Sequence, residues 1–261
     1  MNFLSATIAT VAVISHCIAK AQPPDTTFKP PDTAFIRGSV GVTGLIQTGD
    51  ENRTVATLLS LVTMGNHIYE VEPLTSIAYS SKPGAQVEGE YLENILVLYG
   101  QEHSFYPALG LSFESSFLRK INYRLSTGLT LVYNLLRSKG QSIKLGAGYN
   151  HELTQYKPRA FIPPVDKDHV HYIRQSDQVY IRLKGKNDLF RGKLILSYDF
   201  FIQPDIKDFT DYRWTLLGSL DFPLTGKISL RASAVGSYES FVAANVHPYN
   251  FRLTYGINVS F

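Results

Sequence analysis

From Ile36 to Phe261, apolar and polar residues alternate with a period of two, and clusters of Gly, Asn, Asp, Lys and Pro interrupt the alternation at intervals. That period sends successive side chains to opposite faces of a strand, so each run predicts one apolar and one polar face. In the last run Phe251, Leu253, Tyr255, Ile257, Val259 and Phe261 take every second position, with Arg252, Thr254, Gly256, Asn258 and Ser260 between them. The sixth run is as regular, setting Ile121, Tyr123, Leu125, Leu129, Leu131, Tyr133 and Leu135 against Asn122, Arg124, Ser126, Gly128 and Asn134. Counting runs between turn signals predicts about twelve strands of membrane-spanning length. The eighth is expected to turn at Gly185-Lys186-Asn187-Asp188, and the ninth to carry Lys193, Ser197, Asp199 and Gln203 on its polar face. In the fourth, Gln86 to Tyr99, the run Ile95-Leu96-Val97-Leu98 offers apolar groups to both faces and leaves the inward side open.

The chain before this region has a different character. Phe3 to Ile18 is mostly apolar, and Ala19-Lys20-Ala21 supplies small residues where a signal peptidase reads, which predicts a secretory signal over residues 1–21. Residues 22–34, with Pro23-Pro24 and Pro30-Pro31, read as an extended periplasmic linker. Residues 35–261 then form one unit, expected to be an all-β, antiparallel, up-and-down transmembrane barrel. Loop lengths supply an independent argument. If the last strand ends on the periplasmic side, every second connection counted back from it is a periplasmic turn. These fall near Gly65-Asn66, Gly100 to Ser104, Ser138 to Gln141, Gly185 to Asp188 and Leu224 to Gly226, all brief. The long proline-bearing segment from Lys157 to about Val170 and the loop through His247 fall on the other side.

Composition narrows the field. Aromatics make up 12% and charged residues 18%, with mean hydropathy -0.06. No stretch past the N-terminus reaches the roughly 18 uninterrupted apolar residues of a helical span, whereas the alternating strands of a barrel keep mean hydropathy near zero. The net charge of +3 is dispersed along the chain, so nucleic acid is not an expected partner. The single cysteine, Cys17, falls in the signal segment, which leaves the mature chain without disulfide or thiol chemistry. No cofactor is expected.

The polar faces carry Arg124, Lys144, Arg182, Lys193, Arg213, Arg231 and Arg252 together with Glu70, Glu72, Glu114, Glu152, Asp199, Asp221 and Glu239. A charge facing lipid near the midplane costs about 2–4 kcal/mol, so this face is expected to line the lumen. Glu114, Arg124, Asp199, Arg213, Asp221, Arg231 and Arg252 are the expected charge network, and paired charges of mixed sign predict a narrow or plugged interior. The alternatives are a small-solute channel and a lipid-acting enzyme of phospholipase or deacylase type. No histidine is followed two residues later by serine, which excludes a catalytic pair on one strand face but leaves a cross-strand pair open. Asp166, Asp168, His169 and His171 in the long loop have the donor types of a cation site, with a solvated loop as the plain alternative.

The hairpin from Gly38 to Thr57, GSVGVTGLIQTGDENRTVAT, joins a glycine-rich strand to a Thr-Gly turn with an Asn before the returning strand. With the terminal YGINVSF it resembles the salt-induced outer-membrane protein family, a bacterial β-barrel domain of unknown function, although Asp50-Glu51 stand where that family more often has Asn and Thr. The resemblance implies a barrel and an outer-membrane location, and brings no catalytic residues. The last strand, ending on an aromatic, also resembles the insertion signal of outer-membrane barrels. Tyr255, Ile257, Val259 and Phe261 are then the residues read by the barrel-assembly machinery. That machinery and outer-membrane lipid are the expected partners, and nothing in the sequence indicates an extracellular one.

Overall fold

The computed structural model describes residues 34–47, 53–82, 85–158, 160–161 and 172–261. The expected signal segment, the linker as far as Thr33 and the constellation Asp166, Asp168, His169 and His171 lie outside these residues. Twelve strands follow one another: β1 (Phe35–Gln47), β2 (Arg53–Gly65), β3 (Tyr69–Lys82), β4 (Ala85–Tyr99), β5 (Phe105–Ser116), β6 (Ile121–Ser138), β7 (Gln141–Tyr156), β8 (Ile173–Leu189), β9 (Leu194–Pro204), β10 (Tyr212–Pro223), β11 (Ile228–Glu239) and β12 (Tyr249–Ser260). Each pairs antiparallel with its neighbours in sequence, and β1 pairs with β12, so the sheet closes on itself as an up-and-down barrel. At the seam Val40 lies opposite Val259 and Val42 opposite Ile257. Closure removes the free edge that an open sheet would expose.

Burial is inverted relative to a water-soluble sheet. Leu129, Leu131, Ile257 and Phe251 are 62%, 55%, 54% and 70% exposed, whereas Arg124 and Glu152 are each 2% exposed. Such a wall suits a hydrocarbon surround. Aromatics gather at both ends of it. Tyr69 opens β3, Tyr99 closes β4 and Phe105 opens β5 at the end where the short turns lie; at the other end Tyr212, Tyr238 and Tyr249 lie side by side with tilted rings, centroids 5.2 and 4.6 Å apart. Two aromatic girdles flanking an aliphatic band are what the two water–membrane boundaries select.

The connections 66–68, 100–104, 139–140, 190–193 and 224–227 share the short-turn end, and the turn 117–120 and the longer connections 157–172, 205–211 and 240–248 share the loop end. In β4 the alternation turns Leu96 and Leu98 inward and Ile95 and Val97 outward.

Three sequence expectations are corrected. β8 does not turn at Gly185 to Asp188: those residues continue its pairing with β9, Gly185 opposite Tyr198 and Asn187 opposite Leu196. The Tyr198 ring lies over Gly185, where a Cβ would come within 2.2 Å of it, so this glycine serves a ring and not a bend. The chain reverses instead at residues 190–193, with Phe190, Arg191 and Gly192 at φ of 52°, 60° and 80°. Lys193 therefore belongs to an exposed turn and not to the lumen. Ile121 leaves the outer face because a bulge between Ile121 and Tyr123 shifts the β6–β7 register, and it is fully buried.

The seam generates a test. A Cβ on Gly256 would lie 1.9 Å from the Val42 carbonyl oxygen, whereas one on Gly218 would meet nothing closer than 3.8 Å. Gly256→Val should abolish most of the compact species that migrates ahead of boiled protein on detergent electrophoresis, and Gly218→Val should retain it.

Candidate functional site

The lumen collects the polar face of every strand, and its charges are paired across the barrel as well as along the wall. Towards the loop end Arg124 of β6 reaches Glu239 of β11, five strands away around the wall. Its Nη1 donates to Glu239 Oε1 at 2.7 Å and to Glu114 Oε2 at 2.9 Å, and its Nη2 donates to Glu239 Oε2 at 3.1 Å. Nε is 3.2 Å from Glu152 Oε1 and donates to Thr154 Oγ1 at 3.1 Å, so every side of the guanidinium is engaged. Arg119, from the turn 117–120, enters the same cluster with Nη1 on Glu239 at 2.8 Å and Glu114 at 3.1 Å. Burial works against the charge of Arg119, but Glu239 and Glu114 outweigh it and hold the guanidinium above its ordinary range. Glu152 also takes Arg213 of β10, Nη2 to Oε2 at 2.6 Å, while Arg213 Nε donates to Gln203 at 2.6 Å. These contacts form a bar of three arginines and three glutamates across the lumen.

A second bar lies towards the short-turn end. Lys184 of β8 pairs with Glu72 of β3, again five strands away, and Lys144 is 3.9 Å from the same carboxylate. Between neighbouring strands Arg182 clasps Asp199 and Arg231 clasps Asp221, the latter through Nε and Nη2 both at 2.8 Å. Arg252 lies 3.7 Å from Glu90. Of the seven residues expected to form the network, the structure therefore brings Glu114, Arg124 and Arg213 into one cluster. It places Asp199, Asp221, Arg231 and Arg252 in separate pairs whose partners are Arg182, Arg231, Asp221 and Glu90. Arg119 and Glu90 are lumenal participants that alternation alone does not reveal, because one sits on a turn and the other at the start of an ambiguous strand.

The lumen also has an apolar flank. Leu59 and Leu61 of β2, Leu74 of β3 and Leu92 and Leu96 of β4 face inward, with Leu61 directly opposite Leu74. Leu98, Tyr106, Ala108 and Val132 are buried together below them. Over the loop-end mouth, residues of the 157–172 and 240–248 connections pack on one another: Tyr156, Ala160 and Ala243 are buried with Ile121, and Phe161, Tyr172 and Phe241 lie against them. Arg174 sits 4.7 Å over the Phe241 ring, and Lys120 Nζ donates to the Ala244 carbonyl at 2.8 Å.

Polar rows also stand on the outer wall of the described residues. Glu93 of β4 faces outward between Tyr91 and Ile95, and its Oε2 accepts from Thr75 Oγ1 at 2.6 Å and Tyr91 OH at 3.3 Å. Ser60, Thr75 and Glu93 are successive cross-strand partners, a polar row in an otherwise aliphatic band. On β6 to β8 the register sets Thr127, His151 and Asp177 in another outer row, with His151 Nδ1 2.8 Å from Asp177 Oδ1 and Tyr149 OH donating to the same oxygen.

Among protein families, the one described as protein of unknown function, DUF481, matches residues 45–261. No curated protein matches the chain. Among solved structures, the translocator domain of the autotransporter NalP from Neisseria meningitidis is similar at 11% identity and a TM-score of 0.47, over 98% of this chain and 97% of that one. The NanC porin is similar at 11% identity and a TM-score of 0.45, over 87% of this chain and 99% of that one. The outer-membrane channel DcaP of Acinetobacter baumannii is similar at 9% identity and a TM-score of 0.38, over 90% of this chain and 99% of that one.

Removing one member of the loop-end bar strands its buried partners, which typically costs about 3–5 kcal/mol. Arg124→Met should lower the unfolding free energy in detergent by that amount, measured by denaturant titration of the barrel's β signal. Lys193→Met, in the exposed turn, should change it by less than about 0.5 kcal/mol.

Proposed function

The chain belongs to the DUF481 family of proteins of unknown function, and on that footing we propose that it is an integral β-barrel of the bacterial outer membrane with an interior held shut by ion pairs. It acts either as a structural element of that membrane or as a pore too narrow to leak. The observation that carries this reading is the pair of bars, Arg124 to Glu239 and Lys184 to Glu72, each joining walls five strands apart. Charge pairs confined to neighbouring strands would leave the centre open; these cross it. The location rests on the apolar outer wall and its two aromatic girdles. In this reading residues 1–21 direct secretion, 22–34 link in the periplasm, and the short-turn end faces that compartment. Tyr255, Ile257, Val259 and Phe261, all on the outer face, are the surface handled by the assembly machinery. Within the family we assign the chain to the salt-induced group on its Gly38 to Thr57 hairpin.

A second reading, a lipid-acting enzyme, draws on the outer row Thr127, His151 and Asp177, a hydroxyl, an imidazole and a carboxylate in the order that nucleophilic catalysis uses. It ranks second because the strand amides around the row are committed to the ladder, which leaves a developing oxyanion without a donor.

Reconstituted in planar lipid bilayers, the unaltered protein should show no steady conductance, and the double substitution Glu72→Ala with Lys184→Ala should increase the frequency of open events at least tenfold. Steady conductance from the unaltered protein would overturn the closed lumen. Incubated with phospholipid vesicles, the protein should release fatty acid no faster than its His151→Ala variant; a clear difference between the two would promote the enzymatic reading.

A further inference from the structure

The connections at the short-turn end differ in charge. The turns 139–140, 190–193 and 224–227 carry Lys139, Arg191, Lys193 and Lys227 and no acid, whereas 66–68 and 100–104 carry no lysine or arginine and one acid, Glu102. The basic turns are neighbours. The Asp188 amide donates to the Gly140 carbonyl at 2.7 Å, and Ile195 of β9 lies opposite Asp221 of β10, which sets 190–193 beside 224–227. One half of the rim, from β6 to β11, is therefore cationic. The acids nearest to it in sequence are Asp188, which leans on Gly140, and Asp221, which is buried against Arg231. All four cationic side chains are exposed and have no ion-pair or hydrogen-bond partner among the described residues, in contrast to the arginines of the lumen.

The same turns hold apolar residues out of the fold. Phe190 is 75% exposed and Leu224 61%. Neither sits on a loose end. Phe190 and Arg191 take left-handed backbone, with φ of 52° and 60°, which a bulky side chain rarely adopts. The Leu224 and Thr225 amides both donate to the Ile228 carbonyl, at 2.8 and 3.1 Å, and Thr225 Oγ1 accepts from the Lys227 and Ile228 amides. Beside these tips the exposed outer wall continues through Phe222 and Ile228. Apolar side chains next to cations, at the foot of an apolar wall, match the boundary where acyl chains meet phosphates.

We propose that the β6 to β11 half of this rim is a docking surface for anionic phospholipid headgroups. The proposal rests on the membrane reading above and adds which lipid and which side of the barrel. The four cations take the phosphates, while Phe190 and Leu224 enter the headgroup–acyl boundary beside them. A net negative headgroup is favoured over a zwitterionic one because these turns hold no acid to receive an ammonium group. An acidic polymer in solution would satisfy the cations but leave both apolar tips in water. In the orientation proposed above, the headgroups belong to the periplasmic leaflet.

The test uses the full chain reconstituted in phosphatidylcholine vesicles, with spin-labelled phosphatidylglycerol or spin-labelled phosphatidylcholine as the probe, and reads the fraction of label immobilised on the barrel. The expected result is a preference for the phosphatidylglycerol probe of about threefold or more, which about 0.5 M sodium chloride removes. Replacing Lys139, Arg191, Lys193 and Lys227 together by Gln should abolish the preference in protein that keeps the heat-dependent mobility shift of a folded barrel. Lys207→Gln, at the loop end, should keep it. A second arm follows fluorescence. Trp214, the one tryptophan of the chain, stands on the outer wall opposite Tyr238, and brominated lipid should quench it in the unaltered protein. In a Trp214→Phe background, Phe190→Trp should also be quenched, more by brominated phosphatidylglycerol than by brominated phosphatidylcholine. No preference between the probes, or a preference that survives the four substitutions in a folded barrel, would overturn the proposal. So would a quenched Trp214 beside an unquenched Phe190→Trp, which would leave the rim to a partner in the aqueous phase. An unquenched Trp214 would overturn the membrane reading and this proposal with it, so the two failures are told apart.

Discussion

The constraint behind everything else is that a backbone in hydrocarbon must satisfy its own N–H and C=O groups, since no water is there to do so. A sheet meets it only by closing, and the β1–β12 pairing is where this one does. Once closed, each strand has an outer face in lipid and an inner face with no such contact, and the period of two divides the residues between them. The outer face can then be only apolar or interfacial. Most charges the strands carry are pushed into a confined interior, where each must find a partner or be costly. The ion-pair bars are thus a consequence of closure as much as a separate device.

The pairing follows a pattern that has little to do with net stability. Buried salt bridges repay their desolvation only in favourable geometry, and hydrophobic replacements are often as stable. What the bars Arg124 to Glu239 and Lys184 to Glu72 provide is geometric: they tie opposite walls, so the cross-section of the barrel is fixed by side chains as well as by strand number. Pairs such as Arg231 with Asp221 only brace neighbouring strands. The leucines of β2 to β4 lie between Glu72 towards the short-turn end and Glu90 towards the loop end, so this wall is apolar in its middle and ionic at both ends.

Much of this was legible in the sequence, for one physical reason: the face of a strand residue depends only on parity. Strand number, closure and the inward set of arginines and acids all follow from it. What parity does not carry is the partner. Arg124 and Glu239 are 115 residues apart, and nothing in spacing says that they meet across a lumen and not along a wall. Parity also fails where the backbone slips, as at the Ile121 bulge, and where composition imitates a turn. Gly185-Lys186-Asn187-Asp188 reads as a reversal because glycine and asparagine usually mark one, yet this glycine is there to accommodate the Tyr198 ring. Arg119 sits in the turn 117–120, yet its side chain is long enough to leave the turn and enter the lumen.

The Ser60, Thr75 and Glu93 row gives the barrel something a cylinder in a fluid sheet otherwise lacks, a direction. Around most of its circumference the wall offers lipid an equivalent surface of leucine, isoleucine and valine, and rotation about the membrane normal changes nothing. In the proposed membrane setting the Glu93 carboxylate, held by two hydroxyls, stands where acyl chains pass, so the lipids there yield to water or to a thinner bilayer. The wall therefore has, in that setting, a front marked by this row, and Asp177 of the other outer row adds a second mark nearer the loop end.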